Sequence, residues 1–353
     1  MKVIRPWRAA ILAAALLTPI TVILDRTMAQ STISEGDLPA FAGATAWLNS
    51  PPLTPTGLRG KVVLVDFWTY TCINWRRQFP FVRAWAEKYK EHGLVVIGVH
   101  TPEFSFEQDV DNIRLAAKEI KVDYPIAVDN SHQIWDAFDN EAWPALYFVD
   151  AAGHIRHRFL GEGDYQQSES LIQQLLVEAG ASGVPRDPVS PRATGAEAAA
   201  DWKDLRSPET YLGRDRTQNF ASPGGASSDA SQAYTAPDRL RLNQWALAGA
   251  WSMQSEAAVA SAAHGRIVYR FHARDLHLIL APPARDRPVR FRITIDGAAP
   301  GGAHGVDADA EGWGKVGEPR LYQLVRQQGP VLDRTFEIEF FDPGVRAYDF
   351  TFG

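Results

Sequence analysis

Apolar residues along this chain recur with more than one period, and each period predicts a different element. Val62, Val63, Leu64, Val65, Phe67 and Trp68 form a continuous β-branched and aromatic run interrupted only by Asp66, the pattern of a strand buried on both faces. Thr69 to Thr71 turn the chain. From Arg76 to Tyr89 the apolar residues Phe79, Val82, Trp85, Ala86 and Tyr89 fall at helical spacing. Leu94 to Val99 reads as a second buried strand, so strand, helix and strand predict a parallel crossover unit. Further on, Phe106 to Ile120 predicts a helix, Tyr124 to Val128 a short strand, and Ser131 to Phe138 a short helix capped by Ser131. Trp143 to Asp150 predicts a strand with Pro144 at its entry, Ile155 to Leu160 its antiparallel partner, and Ser168 to Ala179 an amphipathic helix with Leu171, Ile172, Leu175 and Leu176 in one stripe. Gln30 to Gly60 is a lead-in anchored by Phe41, Trp47 and Leu53.

Gly180 to Gly195 carries three prolines and no periodic apolar pattern, and marks a linker. Ala196 to Phe220 is expected to hold one helix and Ala221 to Ser231 a Gly/Ser/Pro-rich loop. Then the period becomes two. The segments 267–271, 276–280, 289–295, 336–340 and 348–352 alternate or form short apolar runs, which predicts an antiparallel β-sandwich. Of Trp202, Tyr211, Trp245, Trp251 and Trp313, most are expected in its core rather than on a sugar-stacking platform. His304, Asp307, Asp309 and Glu311 lack the spacing of a calcium loop and read as a solvated acidic loop. His154 and His157, three apart in a strand, point to opposite faces. No metal site and no cofactor are expected.

The 353 residues, 45% hydrophobic and 11% aromatic, suffice for two packed cores. A formal charge of −6 and the lack of a basic run interleaved with aromatics exclude a nucleic-acid partner. Lys2, Arg5 and Arg8 precede an apolar stretch from Ala9 to Leu24, with small residues near Thr27 to Ala29. This is the pattern of a secretory signal, or of an N-terminal membrane anchor. Either places the body of the protein outside the cytoplasm, in the periplasm or cell envelope, with a membrane contact only through an uncleaved N-terminus.

Cys72 is the only cysteine. The predicted elements place it at the start of a helix, where unpaired N–H groups and the helix dipole favour an anion, so its thiolate is expected to form at lower pH than in a free cysteine. Arg76, four residues on, is expected to add to that effect. The parallel unit brings His100 and Glu103, at the end of the second strand, to the same sheet edge.

Asp66-Phe67-Trp68, Cys72 and Pro80 together resemble the thioredoxin active-site strand, turn and kinked helix. The loop WTYTCIN is similar to that of the thioredoxin-like portion of DipZ-type proteins and related exported redoxins. The helix and strand inserted between the second and third core strands resemble exported thiol-disulfide proteins as well. The resemblance implies an α/β thioredoxin-like domain over residues 30–179, with a mixed central sheet flanked by helices. A linker at 180–195 and an all-β, jelly-roll-like, carbohydrate-binding-like sandwich over 196–353 would follow it, after a leader at 1–29. It implies Cys72 as the attacking thiol, Asp66 as a buried acid behind it, and Pro144 as a cis proline facing the cysteine, with Trp68, Thr69, Thr71, Trp75, Arg76, His100, Glu103 and Trp143 around them. Where the family pattern Cys-x-x-Cys has its second cysteine, this chain has Trp75, so no internal disulfide can close.

Three readings follow. In the first, Cys72 acts as a monothiol oxidoreductase on protein or low-molecular-weight disulfides, an external thiol resolves the adduct, and Trp75 presents a flat apolar surface to the partner. In the second, the chain is a one-cysteine antioxidant peroxidase; Thr69 suits that motif, and Val65 stands where its proline would. In the third, it is a redox-inactive scaffold that binds a glycan or an envelope protein.

Overall fold

The computed structural model describes residues 36–226 and 230–353; the leader at the N-terminus lies outside them. The first part is built on a six-stranded sheet. Its strands are β1 (Ala46–Leu48), β2 (Val62–Trp68), β3 (Leu94–His100), β4 (Ile126–Val128), β5 (Ala145–Val149) and β6 (Ile155–Leu160), in the order β1-β4-β3-β2-β5-β6. β2, β3 and β4 run parallel, and β1, β5 and β6 pair antiparallel to their neighbours. Helices α1 (Ile73–Tyr89), α2 (Val110–Ile120), α3 (Gln133–Ala137) and α4 (Tyr165–Glu178) complete the layers.

β2 is buried along its whole length, and its two-residue period divides the side chains between two cores. Leu64 and Trp68 join one cluster with residues of α1, α2 and α4, whereas Val63, Val65 and Phe67 join another with Phe41, Ile134, Phe138 and Tyr147. Asp66 shares the face of Leu64 and Trp68 and is thereby driven beneath α1. Gly98 on β3 is required by the same packing, because a Cβ there would stand 2.7 Å from the Trp68 indole nitrogen.

Two local expectations are corrected. The helix expected from Phe106 is broken at Asp109: a 3-10 turn spans Ser105–Gln108, and Asp109 then caps α2 by accepting from the Asp111 amide at 2.9 Å. The cap of α3 is not Ser131. The Asp129 carboxylate, at the end of β4, accepts from the amides of Ile134 and Trp135 at 3.0 and 2.9 Å.

In the second part, β7 (Thr210–Tyr211), β8 (Gln232–Tyr234), β9 (Trp245–Met253), β10 (Ala258–Ala260), β11 (Gly265–Phe271), β12 (Asp275–Ala281), β13 (Val289–Ile295), β14 (Trp313–Val316), β15 (Arg320–Arg326), β16 (Arg334–Phe340) and β17 (Arg346–Phe352) form one antiparallel sheet. Its main path is β14-β13-β16-β11-β9-β10-β17-β12-β15. β9 belongs to both halves: Trp245 to Ala248 pair with β11, and Trp251 to Met253 pair with β10. Gly249, at φ +92, makes the bend between them. The sheet curls over a single core in which Tyr269 lies 4.9 Å from Phe350, and Trp251 lies 6.0 Å from Phe340, ring to ring.

The helix expected within 196–220 does not form; the segment holds a 3-10 turn at Gly195–Glu197 and the two-residue β7. Trp245 and Trp251 are core, but Trp202 and Trp313 are exposed at 60% and 43%, against the expectation for most of these aromatics. The 304–311 loop is internally bonded rather than merely solvated: Asp307 pairs with Arg320 at 2.6 Å, and Asp309 accepts from the amides of Glu311 and Trp313.

The two parts pack directly. Ile73 and Phe104 share an apolar cluster with Ala257, Ile279, Ala281, Leu321 and Tyr348, which are outer-face and turn residues of the curled sheet. Arg77, paired with Glu162 at 2.6 Å in a buried salt bridge, donates to the Phe352 carbonyl at 3.1 Å.

Candidate thiol site

Cys72 is the residue immediately before α1, with extended backbone at φ −66 and ψ 114. Its thiol donates to the Trp143 carbonyl oxygen at 3.8 Å, and the Trp143–Pro144 peptide bond is cis. The chain therefore brings Cys72 to the carbonyl that precedes Pro144, across 71 residues of sequence. Trp143 itself packs against Trp135, tilted by 42° with ring centres 4.3 Å apart, and donates its indole N–H to the Thr101 carbonyl. Cys72 is half-buried.

The thiol does not meet the expectation of a lowered pKa. Burial pushes the Cys72 thiol up, outweighing the lowering by the Trp75 and Asn74 amides, and the charges of Glu103 and Glu209 raise it further. The amides at the start of α1 do favour the thiolate, but burial by the packed neighbours outweighs them. Arg76 gives no help. Its Nε donates to the Tyr70 carbonyl at 3.0 Å, and burial together with Arg320 lowers it to about 10.

Trp75 points inward. It is fully buried, stacked on Trp68 at 4.4 Å and against Phe79 at 4.9 Å. The expectation that it offers a flat surface to a partner is therefore corrected: the residue is core. Its indole N–H donates to Asp66 Oδ2 at 3.0 Å, the Tyr124 hydroxyl donates to the same oxygen at 3.0 Å, and Gln78 reaches Oδ1 at 3.4 Å. Burial pushes Asp66 up to about 7, and these hydrogen bonds hold it down. Asp66 thus lies behind the cysteine helix, bonded to Trp75 rather than to Cys72.

The remaining expected residues surround a second buried acid, which the sequence did not single out. Thr71 Oγ1 donates to Glu107 Oε1 at 2.6 Å, and the amides of Glu103 and Phe104 donate to Glu107 Oε2 at 2.8 and 3.0 Å. Burial pushes Glu107 up to about 7. It ties the cysteine turn to the loop after β3. Thr69 Oγ1 lies 3.4 Å from His100 Nε2, and burial lowers His100 to about 3, so its ring is neutral. His100 stacks on Tyr70 and meets Trp68 edge-on. Glu103 turns to the second part, accepting from the Tyr211 hydroxyl at 2.7 Å and from Arg216 at 2.9 Å. The spacing of Glu107, two residues into a 3-10 turn, gave no sign of this role; Tyr124, Tyr211 and Glu209 were equally invisible, because tertiary packing alone brings them here.

Among the described residues no cluster of histidine, cysteine, aspartate or glutamate is arranged to hold a metal ion, and no helix is long and apolar enough to cross a membrane.

A parallel three-strand core with antiparallel flanks, and a half-buried cysteine opposite a cis proline at the head of a helix, define a thioredoxin-like thiol-disulfide protein. The chain belongs to the family of thioredoxin-like thiol-disulfide oxidoreductases. The AhpC/TSA family model matches residues 38–158, and a model described as a thioredoxin-like C-terminal domain matches residues 207–353. Thiol-disulfide oxidoreductase YkuV of Bacillus subtilis (strain 168) is 32% identical over 141 residues, 40% of this chain and 95% of YkuV. Protein DipZ of Mycobacterium tuberculosis (strain CDC 1551 / Oshkosh) is 39% identical over 252 residues, 69% of this chain. The aligned chain spans 35% of the length of DipZ. Among solved structures, the solution structure of a thioredoxin-like protein in the oxidized form is 33% identical and covers 41% of this chain and 97% of its own, at a TM-score of 0.38.

Proposed function

We propose that the protein is an exported monothiol oxidoreductase of the cell envelope, in which Cys72 forms a mixed disulfide with a protein or low-molecular-weight disulfide and an external thiol resolves it. The observation that carries this reading is the half-buried Sγ of Cys72, 3.8 Å from the carbonyl that precedes Pro144. The thiolate attacks one sulfur of the partner, the partner's S–S bond breaks, and the departing half leaves as a thiolate that takes up a proton. Trp75 fills the inward position that a resolving thiol would need, so the adduct waits for an external thiol. Cys72 is the attacking residue, Pro144 and Trp143 line its open side, and Asp66 acts through Trp75 by fixing the start of α1.

The reading is tested with glutathione disulfide and with the cationic disulfide cystamine. The full chain is expected to gain one half-disulfide by mass from at least one of them, and Cys72→Ser none; a full chain left unmodified by both would end the proposal. Peroxide consumption above that of a free thiol would move the reading to a one-cysteine peroxidase.

A second reading has one observation in its favour. Because burial pushes the Cys72 thiol up, a binding scaffold without redox turnover also fits. Glycan contact, expected only from the resemblance of the second half to carbohydrate-binding-like domains, would then fall to exposed aromatics such as Trp313, which packs on Phe341 at 4.9 Å under Arg292. Retention of the full chain, and not of Trp313→Ala, on a polysaccharide column supports it; no retention on any polysaccharide removes its glycan form.

A further inference from the structure

The outer face of the curled sheet brings a carboxyl group against the cysteine end of α1. Asp349, on β17, is fully buried, and among the described residues no N–H or O–H group donates to either of its carboxyl oxygens. The carboxyl of Glu209, next to β7, is a neighbour that can hydrogen-bond Asp349 once one of the two is protonated. Two carboxyls in that position cannot both ionise, and a proton shared between them satisfies both. Burial and the charges of Glu209 and Glu103 push Asp349 up, and burial and Glu103 push Glu209 up.

Glu103 stands beside this pair. The Tyr211 hydroxyl bridges Glu103 and Glu209 at 2.7 and 3.2 Å, and Arg216 pairs with Glu103 at 2.9 Å while its guanidinium lies 3.6 Å from the Tyr211 ring centre. With one shared proton the pair carries one negative charge and Glu103 a second, against the single positive charge of Arg216. The remainder is negative. Glu103 is held close to the thiol turn: its amide donates to Glu107 at 2.8 Å, and Glu107 accepts from Thr71, the residue before Cys72, at 2.6 Å; the charges of Glu103 and Glu209 both raise the Cys72 thiol. Other ionisable groups on the packed elements are engaged elsewhere: Glu256 with the Ser105 amide, Arg285 with Asp109 and Asn112, and Glu107 with Thr71.

We propose that the curled-sheet part completes the thiol site with a carboxyl cluster, Glu103 and the proton-sharing pair Glu209–Asp349, that selects cationic disulfides as the reaction partners of Cys72. This rests on the monothiol reading above. A positive group beside the partner's disulfide offsets the cluster charge as it binds, so Cys72 loses its proton more readily and the thiolate attacks. The partner's S–S bond breaks, and the departing half leaves as a thiolate and takes up a proton from solvent. An anionic partner meets repulsion and a thiol held neutral. Glu103 and Glu209 are positioning residues, since they act through the charge at Cys72; Asp349 shares the proton of Glu209 and adds no charge of its own.

The experiment compares adduct formation with cystamine, 2-hydroxyethyl disulfide and dithiodiglycolate on the full chain at low salt, each rate divided by that of 2-mercaptoethanol with the same disulfide. The wild-type preference for cystamine over dithiodiglycolate is expected to exceed that of the small thiol by about fivefold or more, the size of one or two charges acting across several ångströms of partly solvated protein. Glu103→Gln with Glu209→Gln is expected to bring it close to unity, and about 0.5 M salt to shrink it. Asp349→Asn is expected to keep the preference within about twofold, because Glu209 then ionises alone and the cluster charge is unchanged. A wild-type preference equal to that of the small thiol, or one unmoved in the double variant, overturns the proposal. If none of the three disulfides forms an adduct, the monothiol reading fails by itself. The rate ratio of iodoacetamide to iodoacetate at Cys72 then tests charge selection without disulfide exchange: a ratio above that of the small thiol, lost in the double variant, supports it, and an equal ratio overturns it.

Discussion

Trp75 and Asp66 form one unit: a buried indole donates to a buried acid, with Tyr124 and Gln78 closing the remaining acceptor sites. Trp75→Cys restores a Cys-x-x-Cys spelling, yet it empties the space between Trp68 and Phe79 and removes a donor from Asp66. A loss of about 3–5 kcal/mol is expected in urea unfolding. Asp66 also carries a pH signature. Its folded value of about 7 stands above its ordinary 3.8, so folding retains the protonated form. The stabilisation is complete below about pH 4 and is lost as pH rises through 7. Asp66→Asn removes that dependence, and its stability relative to wild type is expected to rise by up to about 4 kcal/mol between pH 4 and pH 8 in parallel urea titrations. His100, lowered to about 3, works in the opposite sense, its contribution present above 6.5 and lost as pH falls. The difference between variant and wild type, rather than either curve, isolates Asp66. Asp66 stood out in the sequence as the polar residue in an apolar run. Its partner Tyr124 lies 58 residues away, and nothing local to either residue announced the pair.

The elements were legible where period and length agreed, as in β2, β3, α1 and the strands beyond Gly265. They were misread at their ends, where one side chain decides. α3 begins where Asp129, at the end of β4, reaches back to two amides; Ser131 lies nearer in sequence and is the more obvious cap, but it makes no capping bond. Asp129→Ala is expected to cost about 1–2 kcal/mol, read as a lower thermal midpoint, and Ser131→Ala within about 0.5 kcal/mol of zero. The missing helix in 196–220 has a similar origin. Its polar and apolar residues are drawn individually onto the curled sheet, Leu212 into the core and Tyr211 onto Glu103, and no helical face remains to bury.

At the scale of the molecule, the two parts share a buried contact centred on Ile73, the residue after the thiol. The Arg77–Glu162 pair lies at its edge, bonded to the Phe352 carbonyl of β17. Arg77→Ala leaves Glu162 buried without its cation, and a cost of about 3–5 kcal/mol is expected. Loosening of the contact would appear as faster limited proteolysis in the 180–195 segment, while Arg186→Ala, in that segment but outside the pair, is expected to leave the wild-type unfolding midpoint unchanged. The composition announced two cores of ordinary size; that the second would lie against the thiol helix had no signature in either half alone.

Periodicity and turn chemistry, which act over a few neighbouring residues, were enough to read the main strands and helices of the first part, the buried run that carries Asp66, and a single thiol at the head of a helix. Folding in three dimensions was needed to make Trp75 core, to set the Cys72 thiol on the carbonyl before Pro144, and to join Glu103 to Glu209 through the Tyr211 hydroxyl. Those facts depend on burial and on charges brought together from positions 72 to 211. Desolvation and Coulomb terms follow distance in space, and local sequence does not encode it.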